Sequence, residues 1–228
     1  PRPVPALLVL AALYGAVTAL RRQAYRRGWR VAYRVGAPVI VVGNLTVGGG
    51  GKTPLVMHLA RLLRDLGHAP AVLSRGYGGR HTGPVLRVTP DADPAQAGDE
   101  AVLIAARTGV PVWVHADRVR AARAALADGA RVLVCDDGLQ HLRLARDLEI
   151  VVVDGRRRFG NGALLPAGPL REPLAQLNRG TGLVVCKGEP QPGEYAMRRV
   201  DFHARPLTGG QGVPLSALAP GPVHAVAG

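Results

Sequence analysis

Apolar positions along this chain follow two patterns, and each predicts a different element. Pro38 to Gly43, Ala71 to Leu73, Val112 to Val114, Arg131 to Cys135, Leu148 to Val153 and Gly182 to Cys186 are short, nearly continuous apolar runs. Runs of this length, rich in valine, predict strands covered on both faces. Pro84 to Val88 predicts one more short strand. Between them, Leu55, Leu59, Leu62, Leu63 and Leu66 recur at helical spacing until Gly67. A second helix opens at Gly98-Asp99-Glu100, with acids in its first turn as the helix dipole prefers, and runs through Ala106. A third covers Ala116 to Ala127, and a short one is expected over Arg171 to Asn178. Gly155 to Leu170 is a loop too long for a mere connection, and Val223 to Val226 is a last strand-like run. Strands alternating with helices predict an α/β fold: a doubly wound, mostly parallel sheet with helices on both faces.

One apolar stretch fits neither pattern. Val4 to Leu20, "VPALLVLAALYGAVTAL", carries no charge. As a helix it would be about 25 Å long, at the lower edge of what crosses the ~30 Å hydrocarbon core of a bilayer. Arg21, Arg22, Arg26, Arg27 and Arg30 follow at once, with Tyr14, Tyr25 and Trp29 available as interfacial anchors. A signal peptide carries its charges on the other side of its apolar run. An ordinary core helix is the other alternative; the charge order favours a membrane-seated helix whose arginines meet an anionic membrane surface. The chain is therefore expected to divide into residues 1–35, an apolar helix with a basic segment, and residues 36–228, an α/β core.

Charge changes the picture only once it is located. The net charge is +13, yet no Asp or Glu precedes Asp65, while the first 64 residues hold ten basic groups. The excess belongs to the N-terminal segment. With 4% aromatic residues and no basic face on the core, a nucleic-acid partner is not expected. Cys135 and Cys186 each close an apolar run, which gives neither a disulfide framework nor a zinc pattern.

Candidate chemistry lies at the ends of the predicted strands. "TVGGGGKTP" follows the first strand and precedes the first leucine-spaced helix, the context a phosphate-binding P-loop needs. Backbone N–H groups of Thr46, Val47, Gly48, Gly49, Gly50, Gly51, Lys52 and Thr53 would face phosphate oxygens at a helix N-terminus. Position 46 departs from the usual glycine. The chain has 29 basic residues, of which only Lys52 and Lys187 are lysines, and one of the two stands where a flexible point charge is needed. A second signal is "RVLVCDDGLQH": Asp136 and Asp137 end an apolar strand, the placement of a Walker-B carboxylate that holds Mg²⁺. Asp99 and Glu100 suit helix capping, and the same position suits a base that accepts a proton from an alcohol. Arg75, Arg118 and Arg171 are candidate phosphate clamps. His141 fits a substrate contact or a capped turn equally.

Five segments occurring together, "VVGNLTVGGGGKTPLV", "VLSRGYGGR", "QAGDE", "DDGLQHLRLARDLEIVVVDGRRRFGNGALLPAGPLRE" and "VHAVAG", resemble the tetraacyldisaccharide 4'-kinase family, the lipid A 4'-kinases of Gram-negative bacteria. The likeness covers nearly the whole chain. It implies a P-loop kinase that transfers the γ-phosphate of ATP to the 4'-hydroxyl of lipid A disaccharide 1-phosphate. It further implies a place on the cytoplasmic face of the inner membrane. By the same resemblance Lys52 contacts the phosphates, and Thr53, Asp136 and Asp137 form the magnesium site. Asp99 is the expected general base. Arg75, Tyr77, Gln140, His141, Arg171 and Glu172 are expected on the acceptor side. Gly50 stands where the family has a small polar residue. The family also has a further C-terminal part with an Asp-His motif, into which "VHAVAG" leads. A sequence ending at Gly228 therefore reads as a fragment or as a truncated, impaired enzyme. The competing reading is a P-loop GTPase or metallochaperone. "VVCKGEP" would then supply its guanine-reading segment, but Glu189 is one methylene too long and Cys186 lacks the amide or hydroxyl such a site needs.

Overall fold

The computed structural model describes residues 5–177, 182–198, 203–204, 211–214 and 217; the expected strand at Val223 to Val226 lies outside them. The chain forms two compact units, Pro1–Ala196 and Met197–Gly228. In the second, β9 (His203–Ala204) and β10 (Val213–Pro214) pair antiparallel.

The first unit is built on a sheet whose strand order is β3-β4-β2-β5-β1-β6-β7-β8. The strands are β1 (Val39–Gly43), β2 (Pro70–Ser74), β3 (Leu86–Val88), β4 (Val112–Val114), β5 (Val132–Asp136), β6 (Leu148–Asp154), β7 (Gly182–Lys187) and β8 (Tyr195–Met197). Pairings among β4, β2, β5, β1, β6 and β7 are parallel, and β3 runs antiparallel to β4. Among the described residues five α-helices accompany them: α1 (Pro5–Arg26), α2 (Lys52–Asp65), α3 (Pro94–Ala97), α4 (Asp99–Thr108) and α5 (Arg118–Ala127).

Successive strand side chains point to opposite faces, and that alternation sorts the core into two layers. Val39, Val41, Ala71, Leu73, Leu133, Cys135, Val151 and Val153 cluster with Val119, Ala122 and Ala125 of α5. The intervening Val42, Val72, Val134 and Val152 are equally buried and face the other way. There α2, packed against β2 and β5, and its neighbour α4 bury Val56, Ala60 and Ile104. Coverage on both sides explains why these strands read as unbroken apolar runs.

β1 lies between β5 and β6. The chain leaves β1 toward β2, returns through β5, and then crosses to β6. At such a switch point the loops after neighbouring strands diverge and leave a crevice at their C-terminal ends. The glycine loop and Asp136 both lie there.

Two expectations need correction. Among the described residues of the expected Arg171 to Asn178 helix, which end at Leu177, only Leu174–Gln176 is helical, as a 3₁₀ turn. Pro173 disfavours helical backbone at Glu172 and is itself extended, with ψ 146°. In addition, a turn of helix unseen in the pattern, α3, precedes α4. Asp93 caps it by accepting from the Ala95 N–H at 2.9 Å.

Candidate functional site at the end of the central strands

Asn44 follows β1 directly, is 1% exposed, and organises the glycine loop that comes next. Its Nδ2 donates to the Gly48 carbonyl at 3.2 Å. A side chain added at Gly50 would bring a Cβ within 3.1 Å of the same nitrogen. Gly51 adopts φ +90° at the position capping α2, a left-handed conformation costly for other residues. The loop thereby turns into the α2 N-terminus with Lys52 and Thr53 as the first helical residues. Thr46 and Lys52 are partly buried, whereas Val47, Gly48 and Gly49 are exposed.

Lys52, Asp137, Arg171 and Asn44 form one network. The Lys52 ammonium donates to Asn44 Oδ1 at 3.2 Å and pairs with Asp137 Oδ1 at 2.8 Å. The Arg171 guanidinium grips the same carboxylate with two parallel bonds, to Oδ2 at 3.0 Å and to Oδ1 at 2.8 Å. Such planar fork-to-carboxylate pairs fix orientation as well as distance. Arg171 also donates to the Asn44 carbonyl at 3.0 Å and to Asn44 Oδ1. Asp137 itself has φ +46°, a sparsely populated region that persists where surroundings over-determine it. Burial would raise its carboxyl pKa, but the bonds from Arg171 and the charge of Lys52 outweigh that and hold it at about 2.

Asp136, at the last position of β5, has the opposite character. It is 3% exposed. Burial, with the charge of Glu100 adding, pushes its carboxyl up to about 6. Its Oδ1 is buried with no hydrogen-bond partner. An orphaned carboxylate oxygen is costly in a folded protein and points to a missing ligand. Glu100 approaches from α4, where its Oε1 accepts from the Thr53 hydroxyl at 3.4 Å. Carboxylate and hydroxyl oxygens are the hard donors Mg²⁺ prefers, usually one or two carboxylates completed by water and phosphate. No group of three or more His, Cys, Asp or Glu that could hold a metal occurs among the described residues.

Asp99 is exposed at the start of α4, and its Oδ1 accepts from the Glu100 N–H at 2.9 Å. Gly98, not Asp99, occupies the capping position. The Arg75-to-Gly79 loop lies against this helix start. A Cβ on Gly98 would fall 2.6 Å from the Tyr77 carbonyl, so the close approach requires glycine. The same loop passes close to Asp99, since a Cβ on Gly78 would lie 4.0 Å from Asp99 Oδ1, and its Arg75 and Tyr77 are exposed.

Other expected residues are occupied differently. Arg118 is no free clamp: it is 3% exposed and donates to the carbonyls of His115 at 3.1 Å and Asp136 at 3.2 Å. His141 accepts at Nε2 from the Arg118 N–H at 3.3 Å. Burial and the neighbouring Arg118 charge lower its pKa to about 4, so it is a neutral capping acceptor for α5 near neutrality. Gln140 is partly buried, with Nε2 unpartnered. Glu172, expected toward an acceptor, is 4% exposed and ion-pairs with Arg22 of α1. Its carboxylate is turned to that helix, which covers it. The expected rival guanine segment is folded onto its own neighbours. Cys186 donates to the Glu189 carbonyl at 3.2 Å, and Lys187 lies 3.5 Å from Asp154.

Sequence reasoning passed over Asn44 and gave Glu100 a capping or proton-accepting role, not a place beside Thr53 and Asp136. The signal for Asn44 was a polar residue closing an apolar strand directly before the glycine loop. For Glu100, which the α2–α4 contact brings to Thr53, the sequence held no signal.

The profile described as tetraacyldisaccharide-1-P 4'-kinase matches residues 4–228. A protein from Stenotrophomonas maltophilia named tetraacyldisaccharide 4'-kinase is 51% identical over 99% of this chain and 70% of its own length. One of the same name from Xanthomonas euvesicatoria is 52% identical over all of this chain and 69% of its own. A crystal structure of LpxK from Aquifex aeolicus in complex with ATP superposes with a TM-score of 0.79 at 33% identity, covering 94% of this chain and 70% of that one.

Proposed function

The chain belongs to the tetraacyldisaccharide-1-P 4'-kinase family, and from that premise we propose how its residues move the γ-phosphate of ATP to the 4'-hydroxyl of tetraacyldisaccharide 1-phosphate. The observation that carries the proposal is the crevice in which Lys52, Asp136, Asp137 and Arg171 converge on a glycine loop at a helix N-terminus. The N–H groups of residues 46 to 53 cradle the phosphates. Lys52 exchanges its contact with Asp137 for β- and γ-phosphate oxygens. Thr53, Asp136 and Asp137, joined by Glu100, would hold Mg²⁺, which neutralises charge building on the transferring phosphoryl group. Asp99 takes the proton of the attacking 4'-hydroxyl, and the adjoining Arg75 and Tyr77 meet the sugar headgroup. Glu172 and His141, both engaged within the protein, support the site rather than touch the acceptor.

The same reading gives α1 a role at the membrane. It is long and apolar enough to cross a bilayer by length and composition, with a mean hydropathy of 1.3. Leu8, Val9, Leu10, Leu13, Val17 and Leu20 are exposed on it. We place that face in the cytoplasmic leaflet of the inner membrane, with Arg21, Arg26, Arg27 and Arg30 on anionic headgroups.

The test is transfer of labelled γ-phosphate from ATP to the acceptor in detergent micelles, titrated with Mg²⁺. Lys52→Ala should lower kcat by at least about a hundredfold, the scale of losing a charge aimed at the transition state, without lowering the melting temperature. Full activity in Lys52→Ala would remove the P-loop assignment.

A further inference from the structure

The N-terminal helix reaches the reaction centre through the backbone of Arg171. The Tyr14 hydroxyl donates to the Arg171 carbonyl at 2.9 Å. Arg22, two turns on, pairs with the buried Glu172 and donates to Gln176 Oε1 at 2.7 Å. Ala11 is buried on the same face, and Gly15 approaches Leu164 so closely that a Cβ there would lie 2.8 Å from its Cδ1. Positions 11, 14, 15, 18 and 22 follow the spacing of one helix face. The apolar residues at 9, 13, 17 and 20 fall on the other. From the opposite side, the Arg171 N–H is tied to the Leu45 carbonyl at 2.6 Å, and the Val47 N–H to the Pro169 carbonyl at 2.9 Å. Arg171 is thus held between the glycine loop and α1, in a stretch that Pro173 keeps from being helical.

We propose that Tyr14 and Arg22 are positioning residues for phosphoryl transfer, acting through Arg171. Their contacts set where the Arg171 backbone sits, and hence whether its guanidinium lies flat on Asp137 and Asn44. Glu172 serves as the buried counter-charge that seats Arg22. Small displacements of such a group matter, because transfer depends on groups held in place before reaction. The inference rests on the kinase reading above. It adds that the helix facing lipid is also a structural part of the active site.

The experiment is a double-mutant cycle on the full-length enzyme in micelles, with kcat, KM for ATP and melting temperature measured. Arg22→Gln should lower kcat about tenfold or more, in line with misplacement of a catalytic group. KM for ATP should change less than about twofold, and Arg22→Lys should recover most of the loss. In an Arg171→Lys background, Arg22→Gln should have little further effect, because both changes remove the same arrangement. Tyr14→Phe, which removes one hydrogen bond and no charge, carries the same cycle should Arg22→Gln not fold. Losses that multiply independently, or that follow melting temperature alone, overturn the inference while leaving the kinase reading intact. A wild-type enzyme that transfers no phosphate to tetraacyldisaccharide 1-phosphate instead overturns the kinase reading itself.

Discussion

Individual residues here separate into groups held by complementary partners and groups held in spite of their surroundings. Glu194 is of the first kind. Arg158 donates to both its oxygens at 2.9 and 2.7 Å. Those bonds, aided by the Gln191 N–H, bring its pKa down to about 2 from an ordinary 4.5. A carboxylate with a depressed folded pKa adds stability that is present above its unfolded pKa and lost as pH falls through the folded one. Glu194→Gln should therefore melt lower than wild type near pH 7, and the gap should close between pH 4.5 and 2. Melting curves across that range decide it; a constant gap would mean packing, not charge, is at stake. Asp136 is of the second kind, its orphaned oxygen retained beside Glu100. The sequence announced Asp136 and Asp137 because a carboxylate pair at the end of an apolar strand has few structural reasons to exist. It did not announce that Asp137 is gripped by an arginine and a lysine while Asp136 is left without a partner. That division depends on Arg171 and Asn44, which are 127 residues apart in the chain.

At the scale of elements, periodicity was the dependable signal, and it failed where a single residue broke it. The buried strands and the helices α2, α4 and α5 were legible because two covered faces enforce valine runs and leucine spacing. The segment after Leu170 was not, since its helix-like composition is overruled by Pro173. The contact between the Arg75-to-Gly79 loop and α4 was also hidden in the sequence. Its glycines look like flexibility, yet they serve close packing. Gly98→Ala tests this, because alanine there combines φ +86° with a carbonyl 2.6 Å from the new Cβ. A loss of about 1–3 kcal/mol is expected from strain of this kind, read by urea unfolding. Because the strained contact is to Tyr77, a rise in KM for the acceptor should accompany it. Unchanged stability would show that the loop can move aside at no cost.

For the molecule as a whole, the expected division at residue 35 separates a membrane segment from a core, whereas α1 packs within the same unit as the sheet. Removing residues 1–35 would thus remove Tyr14 and Arg22 along with the apolar face, and could not distinguish loss of membrane binding from loss of the brace. Substituting only the exposed positions, Val9, Leu13, Val17 and Leu20, with serine separates the two. This variant should no longer float with anionic liposomes at high salt, where the arginines' contribution of about 1 kcal/mol each is screened. It should keep its kcat on acceptor dispersed in detergent. Flotation equal to wild type at both low and high salt would place the membrane-binding surface elsewhere. The arginine-dominated composition has a practical consequence. Only two side-chain amines exist in the sequence, and they differ sharply: the Lys52 side chain is 16% exposed inside an ion pair, and that of Lys187 is 44% exposed. Within residues 1–228 an amine-reactive reagent therefore meets two side-chain amines, and Lys187 serves as the internal standard. Protection of the single peptide containing Lys52 becomes a direct footprint of nucleotide occupancy, readable by mass spectrometry without acceptor, membrane or engineered label.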